Sequence, residues 1–172
     1  MDTRVKVLLD PERQFVGCLL WLPHTHARTV LAGMRADDVA DPMTAHVLQL
    51  VIEVVAHGQH PAPVTVYTHA LHTGHAPGET ARHRLGRWLA DTYGAANAAP
   101  ADQAHHLKTV VLEAAWRRAI TEHAHRLSHA AHTSPADVLA DLVEDTAHLD
   151  ELHTRYTTAL TDGPVTTLEV AA

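Results

Sequence analysis

The sequence predicts an all-α protein, a compact multi-helix head followed by a long antiparallel helical hairpin. Three observations carry this. No stretch alternates apolar and polar residues with a period of two for long enough to make a convincing strand. Apolar residues recur instead at intervals of three and four, between glycines and prolines placed where helices start and stop. Hydrophobic residues make up 46% of the chain but aromatics only 4%, so the core is mostly Leu, Val and Ala, which suits close helix packing.

The elements follow in order. Residues 1 to 9 are expected as an extended arm whose Val5, Val7, Leu8 and Leu9 can lie on the body. Asp10-Pro11 opens a helix with Phe15, Val16, Leu19, Leu20 and Leu22 inward, and Pro23 ends it. Gly17 inside that helix costs on the order of 1 kcal/mol relative to Ala, which points to close approach by another backbone. A short helix over about 24 to 33 ends at Gly33, and the acidic, irregular segment Arg35 to Asp41 follows. Asp41-Pro42 starts a helix to His57 with Met43, Val47, Leu48, Val51, Val54 and Val55 on a wide buried face, stopped by Gly58. Pro61 and Pro63 force an extended connector, after which Thr65 can cap a helix carrying Val66, Ala70 and Leu71, closed by Gly74. Residues 80 to 92 form a helix with Leu85, Trp88 and Leu89 on one side, ended by Gly94.

The last third is expected to be two long helices. Pro100 suits a first helical position, Asp102 complements the helix N-terminus, and no Gly or Pro intervenes before Pro135. Ser134, Pro135 and Asp137 signal a second start, and the pattern then runs to about Leu160 before Gly163-Pro164. Helices of about 30 and 26 residues extend roughly 40 to 45 Å. Trp116, Ile120, His123 and Leu127 make one stripe on the first, beside Leu107, Val110, Val111 and Ala114. Val138, Leu142, Leu149, Leu152 and Tyr156 keep near-heptad spacing on the second. The periodicity serves equally a bundle completed within the chain or a scaffold for association. The division is therefore a helical head with its arm over 1–97, an association hairpin over 98–160 and a flexible tail over 161–172.

Composition excludes several function classes. A formal charge of -7, from 13 Lys+Arg against 20 Asp+Glu, disfavours direct binding to nucleic acid. The single Cys18 excludes an internal disulfide and a thiolate zinc cluster, and its apolar neighbours suit a buried, inert thiol. No apolar run approaches a membrane span and no signal-peptide segment opens the chain, so a cytoplasmic protein is expected. GxSxG, GxxxxGK[ST] and GxGxxG turns are absent, so no enzyme and no cofactor are expected. Arg117-Arg118 can meet a phosphate or an acidic partner, although a surface ion pair is the ordinary role.

Histidine is the anomaly, with 17 in the chain. His125, His129 and His132 stand at i, i+4, i+7 with Glu122 one turn before, and His69 stands near His72, spacings that can place imidazoles on one face for zinc, copper or nickel. A His-rich helical metal- or small-ligand-binding protein is the alternative function. Neither HExxH nor paired Glu-x-x-His motifs occur, and the histidines are scattered as composition bias would scatter them. Titration near 6.5 makes solubility and self-association pH-sensitive.

One family resemblance emerges from short motifs in a common order. Pro11-Glu12-Arg13-Gln14-Phe15-Val16-Gly17-Cys18-Leu19-Leu20 resembles the opening helix of the N-terminal domain of DnaB-type replicative helicases, where a glutamate precedes a Val-Leu-Gly-x-Leu-Leu run. Ala36-Asp37-Asp38-Val39 resembles the acidic segment before that family's third helix. His57-Gly58-Gln59-His60-Pro61 with Val64-Thr65-Val66 resembles its helix stop, connector and next start. Thr92-Tyr93-Gly94-Ala95-Ala96-Asn97 is similar to its Pro-Ser-Ala-Ala-Asn turn, and Glu113 to Ile120, with Trp116-Arg117-Arg118, to the Leu-Arg-Arg-Leu-Ile part of its long helix. Val39-Ala40 stands where that family has an aromatic pair, Tyr93-Gly94 where it has Pro-Ser, and extra residues separate Asn97 from the long helix.

The resemblance implies a stand-alone collar domain of DNA replication without the ATPase motor, neither unwinding DNA nor hydrolysing ATP. Its implied partners are itself, through hairpin pairing, and the helicase, primase or loader proteins of the primosome. The candidate interface anchors are Trp116, Ile120, Leu127, Leu142, Leu149, Leu152 and Tyr156. Burial of five such side chains contributes about 1.5 to 3 kcal/mol each before ordering costs. Replacing Leu149 and Leu152 by Asp is expected to abolish association while sparing the head.

Overall fold

Asp10 begins the folded body. Its carboxylate accepts from the backbone N–H groups of Glu12 and Arg13 (3.1 and 3.3 Å), capping helix α1, Pro11–Leu19, with Pro11 at the position that needs no donor. The structure is a computed structural model that describes residues 9–96 and 101–162. Then come α2 (His24–Leu31), a 3-10 turn (Ala36–Asp38), α3 (Pro42–Ala56), α4 (Pro63–His72) and α5 (Gly78–Ala95). The last third holds α6 (Ala101–Thr133), α7 (Ala136–Glu144) and α8 (Ala147–Asp162). No strand occurs among the described residues, so the all-α class holds.

α1 packs against α3, α5 and α6 at once, which is why Phe15, Val16, Cys18 and Leu19 are all fully buried around its circumference. Gly17 is what lets α5 approach: a Cβ there would stand 2.8 Å from the Ala96 Cβ and 3.3 Å from the Thr92 Cγ2. The close backbone approach expected at this glycine is thereby found. α3 is wrapped on most sides, with Val47, Leu48, Leu50, Val51 and Val54 fully buried. It starts on Asp41, which accepts from the Thr44 N–H at 2.8 Å, and stops at Gly58, whose φ of 75° only glycine adopts without strain.

The main core does not stop at residue 97. Ala104, Val111 and Leu112 of α6 and Ala159 of α8 belong to it together with the residues of α1 to α5. The first half of α6 is therefore a helix of the head as well as an arm of the hairpin.

Several local expectations are corrected. Thr65 does not cap α4: the helix starts at Pro63 on Ala62, without a side-chain cap, because Pro63 supplies the fixed φ of a first position. Leu71 faces solvent. Gly94 does not end α5, which runs on to Ala95. Ser134 does not cap the second arm, whose N-cap is Pro135, with no side-chain bond. Nor is that arm one helix: it breaks at Asp145, whose φ of -76° and ψ of 72° leave the helical region. Asp and Thr favour helix boundaries over interiors, and here Thr146 restarts the chain, its carbonyl accepting from the Asp150 N–H (3.0 Å) and its hydroxyl donating to Asp150 Oδ2 (3.1 Å). Of the expected arm over 1–9, residues 1–8 lie outside the described residues and Leu9 is exposed; Pro100 also lies outside them, as does the expected tail over 161–172 except for Thr161 and Asp162, which belong to α8.

Candidate association surface

α6 and α8 are held to the head by a buried polar clasp as well as by the core. Arg118 on α6 donates from Nη1 to Glu12 Oε1 (2.9 Å) and from Nη2 to the Asp38 carbonyl (2.6 Å). The other Glu12 oxygen accepts the N–H groups of Ala40 and Asp41 (2.8 and 3.4 Å). Arg155 on α8 donates from Nη1 to Asp38 Oδ2 (2.8 Å) and to the Gly33 carbonyl (3.0 Å), and Asp38 Oδ2 also accepts the Arg35 N–H (2.7 Å). Arg35 forms a further ion pair with Glu151. Lys108, 5% exposed, donates to the Ala32 carbonyl (2.7 Å). Burial pushes its ammonium below the ordinary range, opposed by the charges of Asp162 and Asp38. The 32–41 segment is thus the strap on which both arms are fastened. Of the arginine pair, Arg117 makes the ordinary surface pair with Glu113 one turn away (2.6 Å), whereas Arg118 belongs to the clasp.

Past the clasp the hairpin has a closed half and an open half. In the closed half Ala115, Ala119 and Leu152 form a small second core, with Trp116 and Leu149 packed half-buried against it. Small residues on α6 let α8 approach closely there. Tyr156 packs half-buried against the main core and stacks on Trp116 at 6.1 Å, with His153 4.8 Å from the same indole. The structure therefore brings Trp116, Leu149, Leu152 and Tyr156 together within one chain. Leu152 is 3% exposed, so an Asp there removes the α6–α8 contact itself and does not separate association from folding.

The open half is the tip, made by the end of α6 and by α7. Ile120 is 40% exposed, and Leu127 and Leu142 are half-buried. α7 has no buried residue at all, although it is strongly amphipathic. Val138, Leu139, Leu142 and Val143 fall on one side of it, as their i, i+1, i+4, i+5 spacing requires, and Asp137, Asp141 and Glu144 on the other. α7 touches α6, yet Val138 stays 49% and Val143 56% exposed. Val143 and Leu139 were not among the residues singled out from sequence. The signal for them was the paired apolar spacing within a segment short enough to be a helix of its own.

The histidines of the tip do not make a metal centre. Among the described residues no three His, Cys, Asp or Glu groups are placed to hold a metal ion. His125, His129 and His132 are exposed, and His132 Nδ1 is bonded to the Ser128 carbonyl at 2.7 Å. His69 turns to Glu53 and not to His72. Cys18 is buried as expected, and burial pushes its thiol up to about 11, far from a reactive thiolate. No helix among the described residues is long and apolar enough to cross a membrane.

No family model, curated protein or solved structure matches this chain.

Proposed function

We propose that this chain is a protein–protein interaction module of DNA replication in the cytoplasm, similar in role to the N-terminal collar domain of DnaB-type replicative helicases. It acts through its hairpin, on a second copy or on a helicase, primase or loader protein. The observation that carries the reading is α7, an amphipathic helix with no buried residue, held at the end of an arm that the clasp fastens to the head. A soluble chain gains nothing from keeping Val138 and Val143 in water unless something covers them. The collinear motifs on Glu12, Gly17, Asp38 and Trp116 to Arg118 supply the replication context. The net charge of -7 favours a protein partner over a phosphate backbone.

The test is binding of the purified chain to the replicative helicase and primase of its own host, measured by biolayer interferometry, with Val138→Asp/Val143→Asp as the comparison. Saturable binding that the double variant loses supports the reading. Absence of binding to both proteins, in a chain that also does not self-associate, overturns it.

A further inference from the structure

A second polar cluster lies on the head, away from the hairpin. His46, Gln49, Glu53 and His57 recur at i, i+3, i+7 and i+11, a polar stripe down one side of α3. Glu53 is its centre. Its Oε2 lies 2.7 Å from His69 Nε2 on α4 and 3.8 Å from His75 Nδ1 in the turn after α4. Its Oε1 accepts from Gln49 Nε2 (2.8 Å), and its backbone carbonyl accepts from His57 Nδ1 (2.7 Å). The His57 ring stands 5.8 Å from that of His69, and the His46 ring stands edge-on 6.1 Å from that of His75. The Thr73 hydroxyl donates to the His69 carbonyl (2.8 Å), so it accepts from His75 Nδ1 (3.2 Å).

The element held by this cluster buries few side chains of its own. α4 packs mainly on α3 and α5 and buries only Val66 and Ala70, while Val64 and Leu71 are exposed on its outer side. With two fully buried side chains, its local opening costs less than that of α1 or α3, and the polar contacts to α3 add to what holds it closed.

We propose that Glu53 with His46, His57, His69 and His75 is an acid-sensitive latch, holding α4 and the 73–77 turn on α3 at neutral pH and releasing them in mild acid. The charge balance gives the direction. There is one carboxylate among four imidazoles. Glu53 can offset one added positive charge, and any further positive charge in the cluster stands against a like charge. The charged and titratable groups facing Glu53 are His69 from α4 and His75 from the turn; those facing His46 are His75 and Glu53. α5 adds Arg82, which donates to the Ala76 carbonyl at 3.4 Å and brings another positive charge to the same turn. Burial, and then the His75 ring, hold the His46 imidazole below its ordinary value. The open form therefore binds more protons than the closed form, and acid favours opening. This inference does not depend on the reading of the hairpin.

Amide hydrogen exchange of the full chain, corrected for the intrinsic pH dependence of exchange, tests it. Between about pH 7.5 and 5, protection of the α4 amides is expected to fall severalfold relative to α1. His46→Gln is expected to flatten that fall, and Glu53→Gln to lower α4 protection already at neutral pH with α1 unchanged. In the unmodified chain, NMR titration is expected to place the His46 midpoint below that of a free histidine. Equal α4 protection at both pH values, a full fall retained in His46→Gln, or an unshifted His46 would each overturn the latch.

Discussion

Leu112 and Val143 belong to the same helical hairpin, yet the first is 0% exposed inside the main core and the second is 56% exposed. The contrast runs through every kind of interaction. Around Leu112, α6 is packed by α1, and its Lys108 and Arg118 are bonded to Glu12 of α1 and to the Ala32 and Asp38 carbonyls of the 32–41 strap. Around Val143, α7 has one helix beneath it and acids on its outer side. The arm is secured at one end and left uncovered at the other. Stability should therefore depend on the first region and association on the second.

The largest loss is expected at the clasp. Asp38→Ala leaves Arg155 buried without its carboxylate and Arg35 N–H without its acceptor, and should cost about 3 to 5 kcal/mol in denaturant unfolding. A cost under about 1 kcal/mol would mean that the strap does not secure the arms. Leu112→Ala should cost about 2 to 5 kcal/mol by creating a cavity, whereas Val143→Ala should stay within about 0.5 kcal/mol. Comparable losses at the two positions would erase the contrast. Gly17→Ala sets a new Cβ against Ala96 and should lower stability by about 1 to 3 kcal/mol, read from the unfolding midpoint.

A pH dependence of stability is expected from the α3–α4 cluster of the head. Burial and His75 hold His46 below its ordinary value, so its contribution is complete above about 6.5 and is lost as pH falls through the lowered value. Glu53 has the same sign. Burial pushes it up, but hydrogen bonds from Gln49 and His69 and the nearby His75 and His69 charges hold it below its ordinary value, so acid removes that stabilisation too. Thermal unfolding followed from pH 7 to 4 should show a falling midpoint, less steep in His46→Gln. A midpoint that rises with acid would contradict both assignments.

How much of this was legible in the sequence follows from how local each signal is. The Asp10-Pro11 and Asp41-Pro42 starts and the Gly58 stop are written within a few residues and were read correctly. Gly17 announced a neighbour, though not that the neighbour is the end of α5. The clasp was illegible because its partners are far apart: Asp38 and Arg155 are separated by 117 positions, and each looks like an ordinary surface residue alone. The break at Asp145 carries neither Gly nor Pro, so the heptad spacing across it suggested one continuous helix and hid α7 as a separate, uncovered element. The same spacing does not show that Leu152 meets Ala115 and Ala119 of its own chain.

The smallest expected effect on stability is also the most informative about function. Val138→Asp/Val143→Asp changes side chains that stay about half exposed, so unfolding should move by no more than about 0.5 kcal/mol. Sedimentation equilibrium of the unmodified chain and this double variant, with unfolding recorded on the same samples, tests the central claim most directly. An unmodified chain that assembles at micromolar concentration, beside an equally stable but monomeric variant, is the result expected for an association tip. A variant that assembles as the unmodified chain does, or that loses assembly only because it unfolds, would contradict the account.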